Sequence, residues 1–391
     1  MSLGSRGDME PFLALGEELQ AKGNQVAFCL PAQFESLAKQ VSPHFYPMSP
    51  EFLELMNDPQ VRQLTGQLGS AFSRFKTLLR LMGSTRLIQE QLIRDQKAAD
   101  DAFESDEVIY HIKCVYPTLA HLQLGKPVRI LSPALGLLQP LDHEPAIGFG
   151  QPGTKAWNRL TYRLANHILS QKSILSFSKT PSKEWAWPSY TLKQIKRALL
   201  EEIPIEYACS TELIKRPHDW PEQAQISRFR ERNKFQHWSP DPALLDFLNN
   251  NPKPLFVSFG SMINAHPDRV GQLILETTAE AGVPVLINSS WGGIEVPSTL
   301  PSHAFLVSDV PYDWLLSRVR AIVHHGGSGT THSAWAFRLP QLIIPHFGDQ
   351  FFWNRVVQAQ KIGPLGPSIK ALNKDNFKAA VNALLHDFTK P

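Results

Sequence analysis

The residues best suited to chemistry lie in one stretch, where two apolar segments each end in a polar turn. After the apolar run Ala321–Val323 the chain reads His-His-Gly-Gly-Ser-Gly-Thr-Thr, and after Gln341–Pro345 it reads His-Phe-Gly-Asp-Gln. Short apolar runs of this kind are typical of buried parallel strands. Because the carboxyl ends of parallel strands meet at one edge of a sheet, we expect both turns to lie at that edge.

The first turn has the features of a phosphate site. A helical pattern starts near Ser328, and the free N–H groups and positive dipole end of a helix N-terminus suit a diphosphate. The preceding glycines let a ligand approach the backbone. His325, at the end of the strand, is predicted to add a hydrogen bond or a positive charge. The alternative is a strand-end histidine that is hydrogen-bonded inside the protein and touches no ligand.

The second turn offers Asp349 and Gln350, a carboxylate beside an amide. Both groups are good partners for the hydroxyls of a sugar. Asp349 has a simpler alternative role, which is to cap a helix that starts at Phe351. Taken together, the two turns predict a nucleotide-sugar site.

The same residues resemble the donor motif of the family 1 glycosyltransferases with the GT-B fold, in the branch of the sterol-glucosyltransferase-like and antibiotic glycosyltransferases. This resemblance implies an α/β protein with two Rossmann-like domains that face each other across a cleft. It also implies that His325 and the backbone of Gly327–Thr331 hold the diphosphate, whereas Asp349 and Gln350 hold the sugar. The donor set therefore includes Gly327, Ser328, Gly329 and Thr330. Plant relatives have Trp-Asn-Ser at 328–330, so contacts through those Trp and Asn side chains do not carry over.

Two other segments are similar to the same family. Val-Ser-Phe-Gly-Ser-Met at 257–262 follows an apolar strand and makes Ser261 a candidate donor contact. The segment 308–315 resembles the one that holds the nucleotide base, and backbone groups near Val310 are expected to contact the uracil edge. The alternative for this segment is a loop packed by Trp314.

At the N-terminal end, Gly-Ser-Arg-Gly-Asp-x-Glu-Pro over 4–11 resembles the first loop of the same branch. In that branch the loop faces the acceptor, which makes Asp8 our candidate for the general base. Glu10 and His111 are the reserve candidates and further acceptor contacts. The alternative for Asp8 is to cap a helix predicted over Met9–Lys22. Only three residues precede the loop, so the first strand is expected to be short.

The composition of the chain limits the remaining possibilities for its function and location. The chain has 391 residues, 42% of them hydrophobic, and a formal net charge of +3, which is too small to indicate nucleic-acid binding. Three scattered cysteines, no signal peptide and no membrane-spanning stretch predict a cytoplasmic protein. No Asp-x-Asp or clustered Cys/His spacing is present, so we expect no metal and no cofactor other than a UDP-sugar as co-substrate.

The domain prediction is an acceptor-binding domain over 1–215, a proline-punctuated linker over 216–253 and a donor-binding domain over 254–391. A helical pattern over 153–180 carries Trp157, Leu160, Leu164 and Ile168. A last helix over Lys374–His386 ends the chain sooner than is usual for GT-B proteins.

The function predicted from the sequence is the inverting transfer of a hexose, glucose by preference, from a UDP-sugar to a hydroxyl of a lipophilic acceptor. Sterol, terpenoid, flavonoid and macrolide acceptors remain open, and membrane contact is expected only through the acceptor. Two rival functions remain: an epimerase on the same scaffold, and a nucleotide-sugar binder without catalytic activity.

Overall fold

The computed structural model describes residues 1–57, 71–177, 183–232, 238–289 and 292–388. The chain divides into two compact units. The first comprises Met1–Thr211 and Lys215–Arg232, and the second comprises Glu212–Ile214 and the chain from 233 onward. All pairings between the named strands are parallel.

The first unit alternates strands and helices. Its strands are β1 (Ala27–Pro31), β2 (His44–Met48), β3 (Val108–Tyr110), β4 (Val128–Ser132), β5 (Ile205–Tyr207) and β6 (Ala224–Ile226). Its helices are α1 (Arg6–Ala21), α2 (Glu35–Lys39), α3 (Glu51–Asn57), α4 (Ala71–Phe103), α5 (Tyr116–Leu124), α6 (Lys155–Phe177) and α7 (Leu192–Arg197). Strands β1 and β2 form one sheet, and the other four are ordered β3-β4-β5-β6.

The first three residues connect these two sheets. The Ser2 amide donates to the Cys29 carbonyl in β1 at 3.2 Å, and the His111 amide donates to the Met1 carbonyl at 2.9 Å. Leu3 is fully buried. The segment 1–3 therefore takes the place of the short first strand that the sequence predicted, and it delivers the loop that follows to the carboxyl edge of the sheet.

The second unit is a single parallel sheet with helices. Its strands are β7 (Leu255–Ser258), β8 (Val285–Asn288), β9 (Ala304–Leu306), β10 (Ala321–His324) and β11 (Gln341–Ile343). Its helices are α8 (Pro242–Asn250), α9 (Pro267–Glu280), α10 (Tyr312–Leu315), α11 (Ser328–Ala336), α12 (Gln350–Ala359) and α13 (Lys374–His386).

The strand order of this sheet is β11-β10-β7-β8-β9. Strand β10 lies between β11 and β7, since Val323 pairs with Leu342 of β11 on one side and Val257 of β7 on the other. The central strands are buried on both faces, as expected for a sheet covered by helices. The turns after β7, β10 and β11 must therefore emerge side by side.

The described parts of the segment predicted as a linker, 216–232 and 238–253, contain secondary structure. Residues 224–226 form β6, which pairs with β5 at the edge of the four-stranded sheet of the first unit. Next to this pairing, the Ile205 amide donates to the Gln223 carbonyl at 2.9 Å. Helix α8, capped by the Asp241 side chain, belongs to the second unit. Among the described residues, no helix combines the length and apolarity needed to cross a bilayer.

Candidate functional site

Three turns of the second unit converge at the carboxyl edge of its sheet. A methyl group added to Gly326 would lie 3.2 Å from the Gln350 carbonyl oxygen, so the turns after β10 and β11 are in contact. The turn after β7 joins them, because Gln350 Nε2 points at Met262 Sδ at 3.3 Å. The structure thus brings together the segments that hold Ser261, His325 and Gln350, as the sequence predicted.

The His325 ring is held between two glycines. A methyl group added to Gly260 would come within 2.9 Å of His325 Cε1, and one added to Gly327 within 2.5 Å of His325 Nε2. No other residue type leaves room for the ring at these two positions. The glycines of both turns therefore fix where the imidazole lies.

His325 is neutral in this structure, which corrects one of the two roles predicted for it. The ring is 9% exposed. Burial, with smaller contributions from His324 and His346, lowers the pKa of His325 to about 3. A positive charge on His325 near neutral pH is therefore wrong for the unliganded protein. The ring can still donate a hydrogen bond, and His325 Nδ1 is buried without a hydrogen-bond partner.

The neighbouring His324 has a structural role that sequence analysis missed. Its Nδ1 accepts from the Gly326 amide at 3.1 Å, so the hydrogen lies on Nε2, which donates to Gln341 Oε1 at 3.1 Å. The Gln341 amide donates in turn to the Thr331 carbonyl at 3.2 Å. This chain of hydrogen bonds locks β10, β11 and α11 together beneath the phosphate turn. The only indication in the sequence was that His324 and Gln341 are polar residues in two otherwise apolar strands.

Helix α11 begins at Ser328, as predicted. Its N-cap is Gly327, and no side chain caps it. The N–H groups of Ser328, Gly329 and Thr330 therefore have no capping side chain and lie at the positive end of the helix dipole. These three residues are partly or fully exposed, whereas Thr331 is buried. The turn keeps the anion-binding geometry predicted for it.

The turn after β11 places the two predicted sugar contacts differently. Asp349 is the residue before α12, and its side chain makes no capping bond, so the simple capping alternative does not describe it. Gln350 is buried, and its Oε1 accepts from the amides of His346 at 2.7 Å and Phe347 at 3.2 Å. The side-chain oxygen of Gln350 therefore holds the turn in shape. Its side-chain Nε2 group lies against the Met262 sulfur and is the group that can donate to a ligand.

The segment predicted to contact the base combines a buried Val310 with exposed neighbours. Val310 packs into the core with Phe256, Leu286 and Leu315, while Ser308 and Asp309 are exposed. The Trp314 ring lies 4.9 Å from that of Trp238, so the packing role weighed for Trp314 is also present.

In the first unit, the structure brings Asp8 and His111 together. Asp8 is the third residue of α1 and completes a capping box with Ser5: its Oδ2 accepts from the Ser5 amide at 2.7 Å and the Ser5 hydroxyl at 3.1 Å. Its Oδ1 lies 2.9 Å from Lys113 Nζ and 3.4 Å from His111 Nε2. The predicted helix start at Met9 was therefore three residues late, and the capping alternative for Asp8 is present in this form.

The acid–base properties of this cluster depend on Lys113. Burial by itself would raise the pKa of Asp8, but the charge and hydrogen bond of Lys113, with His111 and the Ser5 amide, outweigh it and lower the pKa below its ordinary value. Burial and the Lys113 charge lower the pKa of His111 to about 3. His111 Nδ1 accepts from the Lys113 amide at 3.1 Å, so the neutral ring carries its hydrogen on Nε2, toward Asp8.

Glu10 lies two residues after Asp8 in α1. It pairs with Arg6 at 3.0 Å and lies 3.8 Å from an Arg232 nitrogen. These cations compete with any role as a base. Across the part of the chain that the structure describes, no group of three or more His, Cys, Asp or Glu side chains is placed to hold a metal ion.

Comparison with known protein families agrees with this layout. Residues 1–130 match the glycosyltransferase family 28 N-terminal domain. Residues 272–390 match the C-terminal domain of the erythromycin biosynthesis protein CIII-like family. The two matches cover the Asp8 cluster and two of the three turns of the donor edge, respectively.

The chain also resembles curated proteins along nearly its whole length. It is 26% identical over 404 residues to a sterol 3-beta-glucosyltransferase of Arabidopsis thaliana, covering 99% of this chain and 60% of that protein. A sterol 3-beta-glucosyltransferase of Emericella nidulans is 26% identical over 407 residues, which are 99% of this chain and 27% of the fungal protein. The chain thus spans less than two thirds of the length of these relatives.

Solved structures share the fold. The glycotransferase of kitacinnamycin superposes with a TM-score of 0.68 at 17% identity, covering 99% of this chain and 89% of that one. The spinosyn rhamnosyltransferase SpnG complexed with thymidine diphosphate gives 0.60 at 16% identity, covering 98% and 90%. The fold is that of the GT-B glycosyltransferases, and the matches to the two family models and to the sterol glucosyltransferases support the resemblance seen in the motifs.

Proposed function

We propose that the chain is an inverting glycosyltransferase that moves a hexose, glucose by preference, from a UDP-sugar to a hydroxyl of a lipophilic acceptor. The second unit binds the donor and the first binds the acceptor. The observation that carries this proposal is the convergence of three turns around an uncapped helix N-terminus and a buried, neutral His325. The similarity to sterol 3-beta-glucosyltransferases supports glucose as the donor sugar and a sterol-like acceptor.

The diphosphate is held by backbone N–H groups of α11 and by His325. A dianion in contact with a buried imidazole favours its charged form, so donor binding should raise the pKa of His325 from about 3. The site thus needs no permanently charged histidine. As the bond to the sugar breaks, the leaving diphosphate gains charge, and the same donors stabilise it more strongly.

The sugar is held by Asp349 and Gln350. Asp349 is partly exposed beside the diphosphate turn and offers carboxylate oxygens to two hydroxyls. The Gln350 Nε2 group now rests on a thioether, which is a weak acceptor, so a sugar hydroxyl is a better partner for it. The backbone near Val310 receives the base, and exposed Ser261 lies on the turn that completes the edge.

Asp8 is the proposed base, and Lys113 controls it. The four contacts from Ser5, Lys113 and His111 use the acceptor positions of the carboxylate, so an acceptor hydroxyl must displace one of them. We place it at the position of the half-exposed Lys113 ammonium. Loss of that cation removes the main influence that lowers the pKa of Asp8, and the carboxylate becomes a stronger base when the acceptor arrives.

The proposed reaction is a single displacement. The acceptor oxygen forms a bond to the anomeric carbon while the bond from that carbon to the UDP oxygen breaks. The hydroxyl proton passes to Asp8, and UDP departs with the bonding electron pair. Attack from the face opposite the leaving group inverts the anomeric configuration.

The proposal is tested by incubating the protein with UDP-glucose and a panel of sterols, terpenoids, flavonoids and macrolides, and detecting products by mass. We expect at least one acceptor to gain a single hexose. Conversion of UDP-glucose to an epimer without any acceptor would favour the epimerase. Calorimetric binding of UDP-glucose with no turnover on the whole panel would favour the non-catalytic binder.

A further inference from the structure

Helix α6 (Lys155–Phe177) is built in the reverse sense of an ordinary surface helix. The residues that it buries are almost all polar: Asn158, Thr161, Tyr162, Asn166, Ser170, Ser173, Ser176 and Phe177. The large residues that it exposes are apolar: Trp157, Leu160, Leu164, Ile168 and Leu175. A helix on the surface of a globular protein normally turns its apolar face inward.

Specific hydrogen bonds hold much of the inward polar face, although Tyr162 Oη and Asn166 Oδ1 are buried without a hydrogen-bond partner among the described residues. Asn158 Nδ2 donates to the Asp142 carbonyl at 2.9 Å, and Asn166 Nδ2 donates to the Leu138 carbonyl at 3.1 Å. Thr161 Oγ1 accepts from the Ala146 amide at 2.8 Å. These bonds tie the long segment between β4 and α6 to the helix. The orientation is therefore fixed by specific partners, and the apolar face must point outward.

The outward face carries an apolar stripe, interrupted by exposed Gln171, which we call the α6 stripe and define as Trp157, Leu160, Leu164, Ile168 and Leu175. The spacings of three, four, four and seven residues place all five on one side of the helix. Leu164 is 43% exposed and Ile168 is 60% exposed. At a rise of 1.5 Å per residue the stripe is roughly 27 Å long. Isolated exposed leucines are common, but an aligned stripe of this length indicates a binding surface.

The charges on the helices that flank the stripe are all positive, and some of them are paired with acidic residues of neighbouring segments. Helix α6 carries Lys155, Arg159, Arg163 and Lys172 with no acidic residue, and helix α7, which packs against it, carries Lys193, Lys196 and Arg197 with none either. Lys155 and Arg159 are paired with Asp142, and Arg197 with Glu202. Among the described residues, Arg163, Lys172 and Lys193 form no ion pair. Arg163 and Lys193 contribute positive charge beside the apolar stripe, whereas Lys172 lies near Lys113 and Cys114, where burial and the Lys113 charge lower its pKa.

We propose that the α6 stripe docks on the surface of an anionic lipid bilayer, with the helix lying in the plane of the interface. Large apolar and Trp side chains on one face, together with Lys and Arg around them, are the features of helices that bind this way. The unpaired cations favour anionic headgroups, and this charge complementarity argues for a membrane over an apolar protein partner. The sequence predicted membrane contact only through the acceptor; here the protein itself makes it.

The test is flotation of the full chain with vesicles of phosphatidylcholine alone or with about a third phosphatidylserine, in the absence of donor and acceptor. We expect binding that needs the anionic lipid and weakens as salt rises. The double variant Leu164→Gln/Ile168→Gln should bind about tenfold or more weakly, and Arg163→Gln/Lys193→Gln should lose the preference for anionic vesicles. Because no sugar nucleotide is present, failure here leaves the proposed transferase activity untouched, and the reverse also holds.

Matched controls come from other parts of the chain. Leu245→Gln alters a leucine of similar exposure, 40%, on α8, and Lys370→Gln alters an exposed lysine that forms no ion pair among the described residues. Both should bind vesicles as the wild type does. All variants should keep the wild-type melting temperature, since the altered side chains are exposed.

A second measurement locates the helix. Vesicles with brominated acyl chains should quench the fluorescence of bound protein, and Trp157→Phe should remove most of that quenching while binding persists. Vesicle binding that is equal in the stripe variant and the Leu245→Gln control would overturn the proposal. So would a concentration-dependent dimer that Leu164→Gln/Ile168→Gln abolishes without changing vesicle binding, because the stripe would then be a subunit interface.

Discussion

Lys113 Nζ lies 2.9 Å from Asp8 Oδ1, and this ion pair sets what the Asp8 carboxylate can do. With Lys113 in place, Asp8 is ionised, fully hydrogen-bonded and a poor base. Without it, the same carboxylate is buried beside a neutral histidine, where its pKa must rise. The two states assign Asp8 a structural role at rest and a catalytic role only when an acceptor replaces the lysine.

The first prediction separates these roles with two substitutions at Asp8. Asp8→Asn keeps the shape but not the proton-accepting group, so kcat should fall about a hundredfold or more while UDP binding stays near that of the wild type. Asp8→Ala should also remove the capping box and lower the free energy of unfolding by about 1 kcal/mol. Measuring kcat and melting temperature for both variants makes the comparison. An active Asp8→Asn enzyme would leave Asp8 with the capping role alone.

Lys113→Met supplies the matched control for that experiment. The base works when deprotonated, and the lysine lowers the pKa of Asp8, so its removal should move the acid limb of kcat/KM to higher pH. The stability that Asp8 contributes is present above the unfolded pKa of about 3.9 and is lost as pH falls through the lower folded pKa. Lys113→Met should therefore also reduce stability at neutral pH. An acid limb that does not move would show that Asp8 is not the titrating base.

The second prediction compares two glycines of one turn. A methyl group at Gly327 would lie 2.5 Å from His325 Nε2, whereas one at Gly329 would meet nothing within 4 Å. Gly327→Ala should displace the ring, lower stability by about 1–3 kcal/mol and weaken UDP binding. Gly329→Ala, in the first turn of α11, should be neutral or raise stability by up to about 1 kcal/mol. Thermal unfolding of both variants checks this, and equal losses would mean that the ring is not clamped.

The third prediction concerns the sugar contacts. Asp349 should touch the sugar and not the nucleotide, so Asp349→Ala should weaken UDP-glucose by about 1–3 kcal/mol and leave UDP nearly unchanged. Calorimetric titration of the two ligands into wild type and variant measures the difference. If both ligands lose the same affinity, Asp349 acts on the nucleotide or on the turn as a whole.

The fourth prediction is that the second unit is sensitive to mild acid. Burial lowers the pKa of His324, His332 and His346 to about 4 and of His325 to about 3. The unfolded chain binds these protons below a pKa of about 6.5 and the folded chain does not, so stability is present above pH 6.5 and falls toward pH 4. Over that pH range, each of these histidines lowers the free energy of unfolding by up to about 1.4 kcal/mol for every unit by which the pH falls.

Hydrogen exchange read by mass provides the measurement. Between pH 7 and pH 5.5, after correction for the intrinsic rate, peptides of β10 and β11 should lose more protection than peptides of β3 and β4, whose unit holds His111 as its single histidine with a lowered pKa among the described residues. His332→Asn should reduce the dependence of the second unit's protection on pH by about the contribution of one histidine. Equal loss in both units would contradict the assignment.

Much of this architecture follows from sequence pattern, and the part that does not has physical reasons. The apolar run at 321–323 and the glycines after it predicted both β10 and the start of α11, because local spacing determines such elements. The neutral state of His325 in the unliganded protein was not predicted, since it depends on burial that no local pattern records. The pairing of Asp8 with Lys113 spans 105 residues and was invisible for the same reason. The apolar pattern of α6 predicted a helix correctly, but only the structure shows which way its face points.

The anomeric configuration of the product tests the central claim most directly. A glycoside formed from UDP-α-glucose, purified and examined by proton NMR, should show the large coupling of a β-linked anomeric proton, with one UDP released for each glycoside. Asp8→Asn should form the same product more slowly. An α-linked product, or UDP release that does not depend on an acceptor hydroxyl, would contradict direct displacement at this site.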